Sequence, residues 1–201
     1  MKRLALLALL VCMAATIQAQ SPNASSQCTL SVAQSPEIRG IRLGLSVDKL
    51  LLLFPEDANR NAIQQGVRDS KRADNYGMAR FDLRADPAVT NARFSGVGVI
   101  TVEMLDEHVT SFYVSYDGPY WKSVDQFIGK LSEALKLPSV DNWKMEAGDS
   151  SRSLQCNGFS VSVHTSGGAN NYVWVRDASV QESVKDRREA SREKARQAFK
   201  P

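Results

Sequence analysis

The chain has 201 residues, of which 43% are hydrophobic, and 25 basic side chains nearly balance 22 acidic ones. This length suits one substantial domain or two small packed units. A formal net charge of +3 gives no strong electrostatic preference for nucleic acid or for an anionic membrane, so neither is expected as a partner.

The N-terminus has the pattern of a secretory signal peptide over residues 1–19. Lys2 and Arg3 precede a short apolar run, and cleavage after Ala19 is expected. The apolar run is shorter than the roughly 20 residues that span a bilayer. No other segment has the sequence of a membrane span, so the mature chain is predicted to be periplasmic or secreted.

The mature chain opens with a polar arm and then one helix. A short strand is predicted over Cys28 to Val32. Ser46 is a good N-cap for a helix with apolar residues at helical spacing, and Pro55 ends that helix. Residues 56–76 are polar and predict an excursion that contains a short helix near residues 62–67.

Alternating apolar and polar residues then predict three strands, at 78–84, 96–105 and 109–117. The second and third strands form a hairpin. In this hairpin the inward residues of one strand must lie opposite the inward residues of the other, as Val102 and Phe112 do. A three-residue turn, Asp106–His108, gives this pairing.

A second helix and three further strands follow Gly118-Pro119. Ser123 is the predicted N-cap, Gln126 completes a capping box, and Pro138 closes the helix. Strands are predicted at 151–156, 159–165 and 172–177. Asn157-Gly158 between the first two is the pattern of a type I′ hairpin turn, which pairs Cys156 with Phe159.

The order of elements repeats along the chain. Ser46–Leu51 returns as Ser123–Ile128 with three identities in six positions, and strand-like sequence follows each copy. We therefore predict an α+β fold in which two αβββ units share one antiparallel sheet, with their helices on one face. The expected boundaries are a signal peptide at 1–19, a first unit with its arm at 20–117, a second unit at 118–178, and a charged C-terminal helix or tail at 179–201.

Two cysteines remain after the predicted cleavage, Cys28 and Cys156. An even number in an exported chain predicts a disulfide between them. His108 and His164 have no ligand spacing to a cysteine, so no metal site is expected.

The C-terminal segment 180–199 has helix propensity and carries most of the basic excess. Residues 180–201 hold seven basic and four acidic side chains. A thin apolar stripe of Val180, Val184, Ala195 and Phe199 is interrupted by Arg188. A solvated helix and a helix that docks a partner are both consistent with this pattern.

The chain has no recognisable catalytic or cofactor motif, so neither enzyme activity nor a cofactor is expected. Strand parity instead predicts a mixed aromatic and charged sheet face opposite the helices. Tyrosine, tryptophan and arginine are enriched at protein interfaces. The C-terminal helix or the 56–76 excursion would cover this face in the alternative arrangement. The predicted protein-binding face consists of Arg80, Asp82, Glu103, Tyr113, His164, Tyr172, Trp174 and Arg176.

The segment Ile41–Leu50 resembles the opening of the SmpA/OmlA (BamE-like) envelope module: a basic residue, a hydrophobic residue, Gly, then Ser and a helix. Leu45 stands where that family usually has Met. A tandem of such units resembles the architecture of the β-lactamase inhibitor protein family, in which two αβ repeats join their sheets into a surface that binds another protein. Pro36–Gly40 resembles the opening of uncharacterised exported bacterial proteins.

Together, these features predict a non-catalytic exported module that binds an envelope or extracellular protein or helps envelope assembly. A carrier of a small apolar ligand or lipid is one alternative, and an inhibitor of an extracytoplasmic enzyme is another. A deep apolar cavity would favour the carrier, and a packed core with an open aromatic face would favour the binding module.

Overall fold

The computed structural model describes residues 28–55, 57–84, 92–146, 148–166 and 171–200. The predicted signal peptide lies outside these residues. Among the described residues, the four helices are α1 (Val47–Leu53), α2 (Asp57–Ser70), α3 (Val124–Leu135) and α4 (Val180–Ala198). The strands are β1 (Met78–Arg84), β2 (Val97–Leu105), β3 (His108–Tyr116), β4 (Lys144–Met145), β5 (Ser151–Gln155), β6 (Phe159–Thr165) and β7 (Asn171–Asp177). Within the described ranges, no helix is both long enough and apolar enough to cross a membrane.

All seven strands form one antiparallel sheet in the order β1-β2-β3-β7-β6-β5-β4. The third strands of the two predicted units, β3 and β7, therefore meet at the centre, where Phe112 pairs with Val175 and Val114 with Val173. This arrangement confirms the α+β prediction of a shared antiparallel sheet with a C-terminal helix.

The β2–β3 hairpin keeps the predicted register but reaches it differently. Val102 does pair with Phe112, yet the turn contains two residues and Leu105 pairs with His108. A bulge then shifts the register, because Glu103 pairs with Ser111 while Met104 pairs with Val109. The predicted three-residue turn is wrong because this bulge supplies the extra residue that the parity requires.

The turn of the β5–β6 hairpin also differs from its prediction. The pairing of Leu154 with Val161 is as expected. However, Gly158 takes a φ of 88° whereas Asn157 does not enter the positive-φ region, which matches a type II turn and not type I′. The N–H of Asn157 donates to Leu30 at 3.0 Å, so the N-terminal arm holds this turn.

The N-terminal arm forms less strand than predicted. Ser31 makes an isolated parallel bridge with Asn157, and residues 32–34 then form a 3-10 turn. The side chain of Gln34 accepts a hydrogen bond from the Ser31 N–H at 3.0 Å, which favours the turn over a continued strand. Cys28 nevertheless reaches Cys156, and the predicted disulfide is confirmed.

The polar excursion after α1 is mainly the 14-residue helix α2, which is longer than the predicted short helix. α2 packs on the side of β1 that carries Phe81, because a Cβ added at Gly66 would lie 2.7 Å from the Phe81 ring. Asn59 donates to the Arg84 carbonyl at 3.0 Å and accepts from its N–H at 3.2 Å, so its amide closes part of the free edge of β1.

α3 is capped as its sequence predicts. The Ser123 hydroxyl accepts from the Gln126 N–H at 3.2 Å, and Gln126 accepts from Lys122 at 3.1 Å. Trp121 stacks on Phe127 with ring centroids 5.4 Å apart. Trp143 is also buried against this region, with its indole N–H donating to Pro138 at 3.2 Å. Both tryptophans therefore belong to the core.

The hydrophobic core fills the space between one face of the sheet and helices α1, α2 and α3. We call that sheet surface the inner face and the opposite surface the outer face. Fully buried side chains of the core come from both units and include Leu50, Ile63, Ile100, Val102, Phe112, Val114, Ile128, Val161, Val173 and Val175.

Candidate binding face

All eight residues predicted for the binding face lie on the outer face. Alternation along each strand places them there, because their neighbours in sequence point into the core. Arg80 and Asp82 are exposed, and Glu103, Tyr113, His164, Tyr172, Trp174 and Arg176 are half-buried. The structure thus brings residues from β1, β2, β3, β6 and β7 onto one surface.

Three rings form a continuous aromatic row across β3, β7 and β6. Tyr113 and Tyr172 have ring centroids 4.9 Å apart and planes tilted by 41°. Tyr172 in turn stacks on His164, with centroids 5.1 Å apart and an angle of 23°. The pairing of His164 with Tyr172 across β6 and β7 produces the second contact. These rings therefore support one another in fixed positions.

Trp174 lies beside this row and is held from two sides. Its indole N–H donates to the Ser111 hydroxyl at 2.8 Å. The guanidinium carbon of Arg176, two residues further along β7, lies 4.1 Å from the centroid of the Trp174 ring. This distance is well within cation–π range. Trp174 is consequently oriented before any partner arrives.

The β1 and β2 side of the face carries charges that are already compensated. Arg80 and Glu103 form an ion pair at 2.9 Å, and the Thr101 hydroxyl donates to Asp82 at 2.6 Å. An exposed pair of this kind adds little stability. The ion pair fixes the direction of these charged groups beside the aromatic row.

A shallow groove of about 280 Å³ lies between the charged side and the aromatic row. Its walls are Arg80, Thr101, Glu103, Ser111, Tyr113, Tyr172 and Trp174. Thr101 and Ser111 were not among the predicted residues, although the same strand parity places both on the outer face. Their small hydroxyl side chains leave the groove open between larger neighbours.

The chemistry of this face is hydrogen bonding and stacking. Burial, and then the nearby Tyr172, raise the pKa of Tyr113, so its phenol stays protonated at neutral pH. Ser151 and His164 are hydrogen bonded at 2.8 Å between Oγ and Nδ1, but Tyr172 covers the ring of His164. Across the described parts of the chain, no cluster of three or more potential ligands could hold a metal ion.

Helix α4 crosses one end of the outer face and leaves the aromatic row open. Met78, Glu103, Ser111 and Arg176 line the space beneath its first turns. Tyr113 and Tyr172 line the neighbouring groove and not the space beneath α4. The alternative in which α2 covers this face is wrong, because α2 packs against Phe81 on the inner face.

No protein-family model, curated protein or solved structure gives a significant match to the chain. Its geometry defines the class of protein: an α+β module with a single seven-stranded antiparallel sheet, one face of which is buried under three helices while the other presents an aromatic row.

Proposed function

We propose that this protein is a non-catalytic exported binding module, and that the outer face of its sheet is the surface that contacts a protein partner. The observation that carries the proposal is the aromatic row of Tyr113, Tyr172 and His164 with Trp174 beside it. These side chains are half-exposed, yet ring contacts hold the row and the Ser111 hydrogen bond holds Trp174.

The residue types suit an interface. Tyrosine, tryptophan and arginine are enriched among the few residues that contribute most of the binding energy at protein interfaces. Side chains that are already oriented lose little conformational entropy when a partner binds. Arg80 and Glu103 lie next to the row and offer charge matching at its edge.

Export to a bacterial envelope is part of the proposal. The signal-like N-terminus supports it, and so does the Cys28–Cys156 disulfide, because such bonds persist in oxidising compartments. The resemblance of Ile41–Leu50 to SmpA/OmlA (BamE-like) modules also supports it.

Protein binding has more support than carriage of an apolar ligand. A carrier would need room between the sheet and the helices, where Ile100, Val102 and Ile128 are fully buried. An inhibitor of an extracytoplasmic enzyme would be a binding module whose partner is an enzyme, and the same face would serve it.

Photocrosslinking in the native envelope tests the position of the surface. The photoreactive phenylalanine analogue p-benzoylphenylalanine at Tyr113 should capture a protein partner. The same analogue at Lys130, an exposed position on α3, is the matched control. Equal capture from both positions, or capture from Lys130 alone, would remove the outer face as the contact surface.

Replacing Trp174 tests whether it anchors the partner identified in this way. Trp174→Ala should weaken binding by about 2 kcal/mol or more, measured by calorimetry. Trp174→Phe keeps a ring but loses the hydrogen bond to Ser111, so its loss should be smaller. Circular dichroism should show an intact fold in both variants, and full affinity in a folded Trp174→Ala variant would contradict the role.

A further inference from the structure

We propose that the cavity between α4 and the outer face binds a carboxylate, and that an acidic side chain of the protein partner supplies it. We call this space the α4 cavity. The inference deepens the proposed function and rests on it for the source of the carboxylate. Two guanidinium groups carry it, those of Arg176 and Arg188, which line the cavity and form no ion pair within the described parts of the chain.

The α4 cavity has a volume of about 350 Å³. Ligand cavities in proteins range from roughly 300 to 1,000 Å³, so the space suits a small group such as one side chain and its neighbour. Its apolar walls are Met78, Val180 and Val184, all of which are half-buried. A ligand that fits this lining combines an anionic group with an apolar part.

Arg176 is a half-buried cation that lacks an anionic partner. Its guanidinium carbon lies 4.1 Å from the centroid of the Trp174 ring. The only hydrogen bond that this guanidinium makes to a described residue is a long one, from Nη2 to the neutral Ser162 hydroxyl at 3.4 Å, and Nε is buried without a partner. A partly buried charge without a counterion is unfavourable because it has lost hydration. A carboxylate in the cavity would offset this cost.

Arg188 reaches the same cavity from α4. Its guanidinium carbon lies 5.6 Å from the centroid of the Tyr76 ring, a contact that leaves its positive charge without a counterion. Lys185, the third cation of the lining, lies 3.9 Å from Glu189 and is therefore left out of the site. An arginine stays protonated at every physiological pH, and its planar fork can bind a carboxylate through two parallel hydrogen bonds. The sheet and the helix thus each supply one donor group.

The two carboxylates in the lining of the cavity are engaged elsewhere. Glu103 pairs with Arg80 at 2.9 Å. Asp177 accepts hydrogen bonds from the N–H and the hydroxyl of Ser179 at 2.8 and 2.7 Å. The charge that remains uncompensated in the cavity is therefore positive, and an anion is complementary to it.

The position of the cavity indicates where the carboxylate comes from. Glu103 and Ser111 line both the α4 cavity and the groove beside the aromatic row, and Arg176 contacts Trp174. A protein that contacts the row therefore lies next to the cavity. An anionic membrane fits this surface less well, because Asp82 and Glu103 would repel it.

Short peptides test the carboxylate site without the partner. Methyl NMR signals of Met78, Val180 and Val184 in the intact exported protein report binding. The peptide acetyl-Leu-Glu-amide should shift these signals saturably at millimolar concentration, and acetyl-Leu-Gln-amide, which lacks the charge, should not. Arg188→Gln should raise the dissociation constant of the Glu peptide at least about fivefold. Arg196→Gln, at the exposed end of α4, is the matched control and should leave it unchanged.

Three outcomes of these titrations would overturn the proposal. The first is an equal response to both peptides, or a dissociation constant that Arg188→Gln leaves unchanged. The second is saturation by inorganic phosphate at a lower concentration than by the Glu peptide, which would make the cavity a phosphate site. The third is binding to phosphatidylglycerol vesicles that Arg188→Gln abolishes, which would make the cavity a membrane contact.

The partner captured at Tyr113 then tests the source of the carboxylate. Arg188→Gln should weaken its binding at least about tenfold, whereas Arg196→Gln should not. Unchanged partner binding in Arg188→Gln, with capture at Tyr113 intact, would overturn this inference and leave the proposed function standing. Peptide binding without any capture at Tyr113 would overturn the proposed function and the partner as the source, and would leave the carboxylate site.

Discussion

The two faces of the sheet use the same strands and differ in what covers them. On the inner face, Val102, Phe112 and Val175 are fully buried beneath helices. On the outer face, Tyr113 and Trp174, neighbours of buried residues in the sequence, remain half-exposed. The inner cover is apolar and extensive, whereas α4 covers one end of the outer face and is held there by the Arg187–Asp106 ion pair.

Under the proposed function, this difference separates stability from recognition across the thickness of one sheet. Burial of apolar surface is the main stabilising contribution, and it lies on the inner side. The outer side gains little from burial, so its side chains contribute less to the stability of the fold. Changes at the inner cover should therefore affect global unfolding, and changes at the outer cover should affect only α4.

The largest expected effect on stability comes from replacing a buried residue of the inner face, and its neighbour in sequence on the outer face is the comparison. Phe112→Ala should lower the free energy of unfolding by about 4 kcal/mol, because it leaves a cavity in the core. Tyr113→Ala should cost about 1 kcal/mol, mainly through the lost ring contact with Tyr172. Urea denaturation measures both values, and similar costs would show that the outer face also carries the fold.

Removing the disulfide should have the next largest effect. Cys28 and Cys156 are 128 residues apart, so the bond restricts a long loop in the unfolded chain. Replacing both with alanine should lower the free energy of unfolding by about 2–5 kcal/mol. The wild-type protein under reducing conditions is the comparison. If neither sample has a lower free energy of unfolding, the disulfide to the N-terminal arm adds nothing to the stability of the fold.

Two helical glycines should respond to alanine with opposite signs. At Gly66 in α2 a Cβ would lie 2.7 Å from the Phe81 ring, and this overlap should cost about 1 kcal/mol after the gain in helix propensity. At Gly129 in α3 an added Cβ would meet no atom within 4 Å beyond its chain neighbours and the adjacent helix backbone, so Gly129→Ala should stabilise by about 1 kcal/mol. Thermal unfolding of both variants measures this, and stabilisation by both would mean that α2 packs loosely.

The smallest expected effect is on the docking of α4 against the outer face, and it depends on pH. Hydrogen bonds from Arg187, together with its charge, lower the pKa of Asp106 below its ordinary 3.8. The carboxylate therefore favours docked α4 above pH 3.8, and this contribution disappears as the pH falls through the lowered pKa. For so exposed a pair the contribution is about 0.5 kcal/mol.

Amide hydrogen exchange in α4 between pH 5 and about pH 2.5 measures this change. Arg187→Gln should remove the pH-dependent loss of protection in residues 180–188. Arg196→Gln, whose partner Glu193 lies in the same helix, should retain it. A simultaneous loss of protection in β3 would show that α4 and the sheet unfold together.

The sequence predicted much of the scaffold because its signals are local. The ends of β1 follow from the alternation between Met78 and Arg84, and α3 follows from the Ser123 cap and its apolar stripe. Strand parity also predicted which eight residues share the outer face. The same parity also places Thr101 and Ser111 on the outer face, where they line the groove. They were not predicted because serine and threonine are not residue types that indicate an interface.

The turns show where local signals are insufficient. The pair Asn157-Gly158 favours a type I′ turn, but the structure has a type II turn. The Asn157 N–H donates to Leu30 of the N-terminal arm. The two residues of the β2–β3 turn, Asp106 and Glu107, are not glycines, yet both take positive φ values, 50° and 64°. Distant groups stabilise that turn: Asp106 binds Arg187, and the Glu107 carbonyl accepts from Val47 at 2.9 Å. Contacts more than 50 residues away in sequence thus decide the conformation.

The sequence by itself determined most of the elements, their inward and outward residues and the pair of cysteines, because periodicity and capping act over a few residues. Only the tertiary structure decided that β3 and β7 join the two halves, that α2 lies inside and that α4 crosses one end of the outer face. The physical reason is that these features depend on burial and hydrogen bonds between segments far apart in the chain. The free energies of such contacts cannot be inferred from a local sequence pattern.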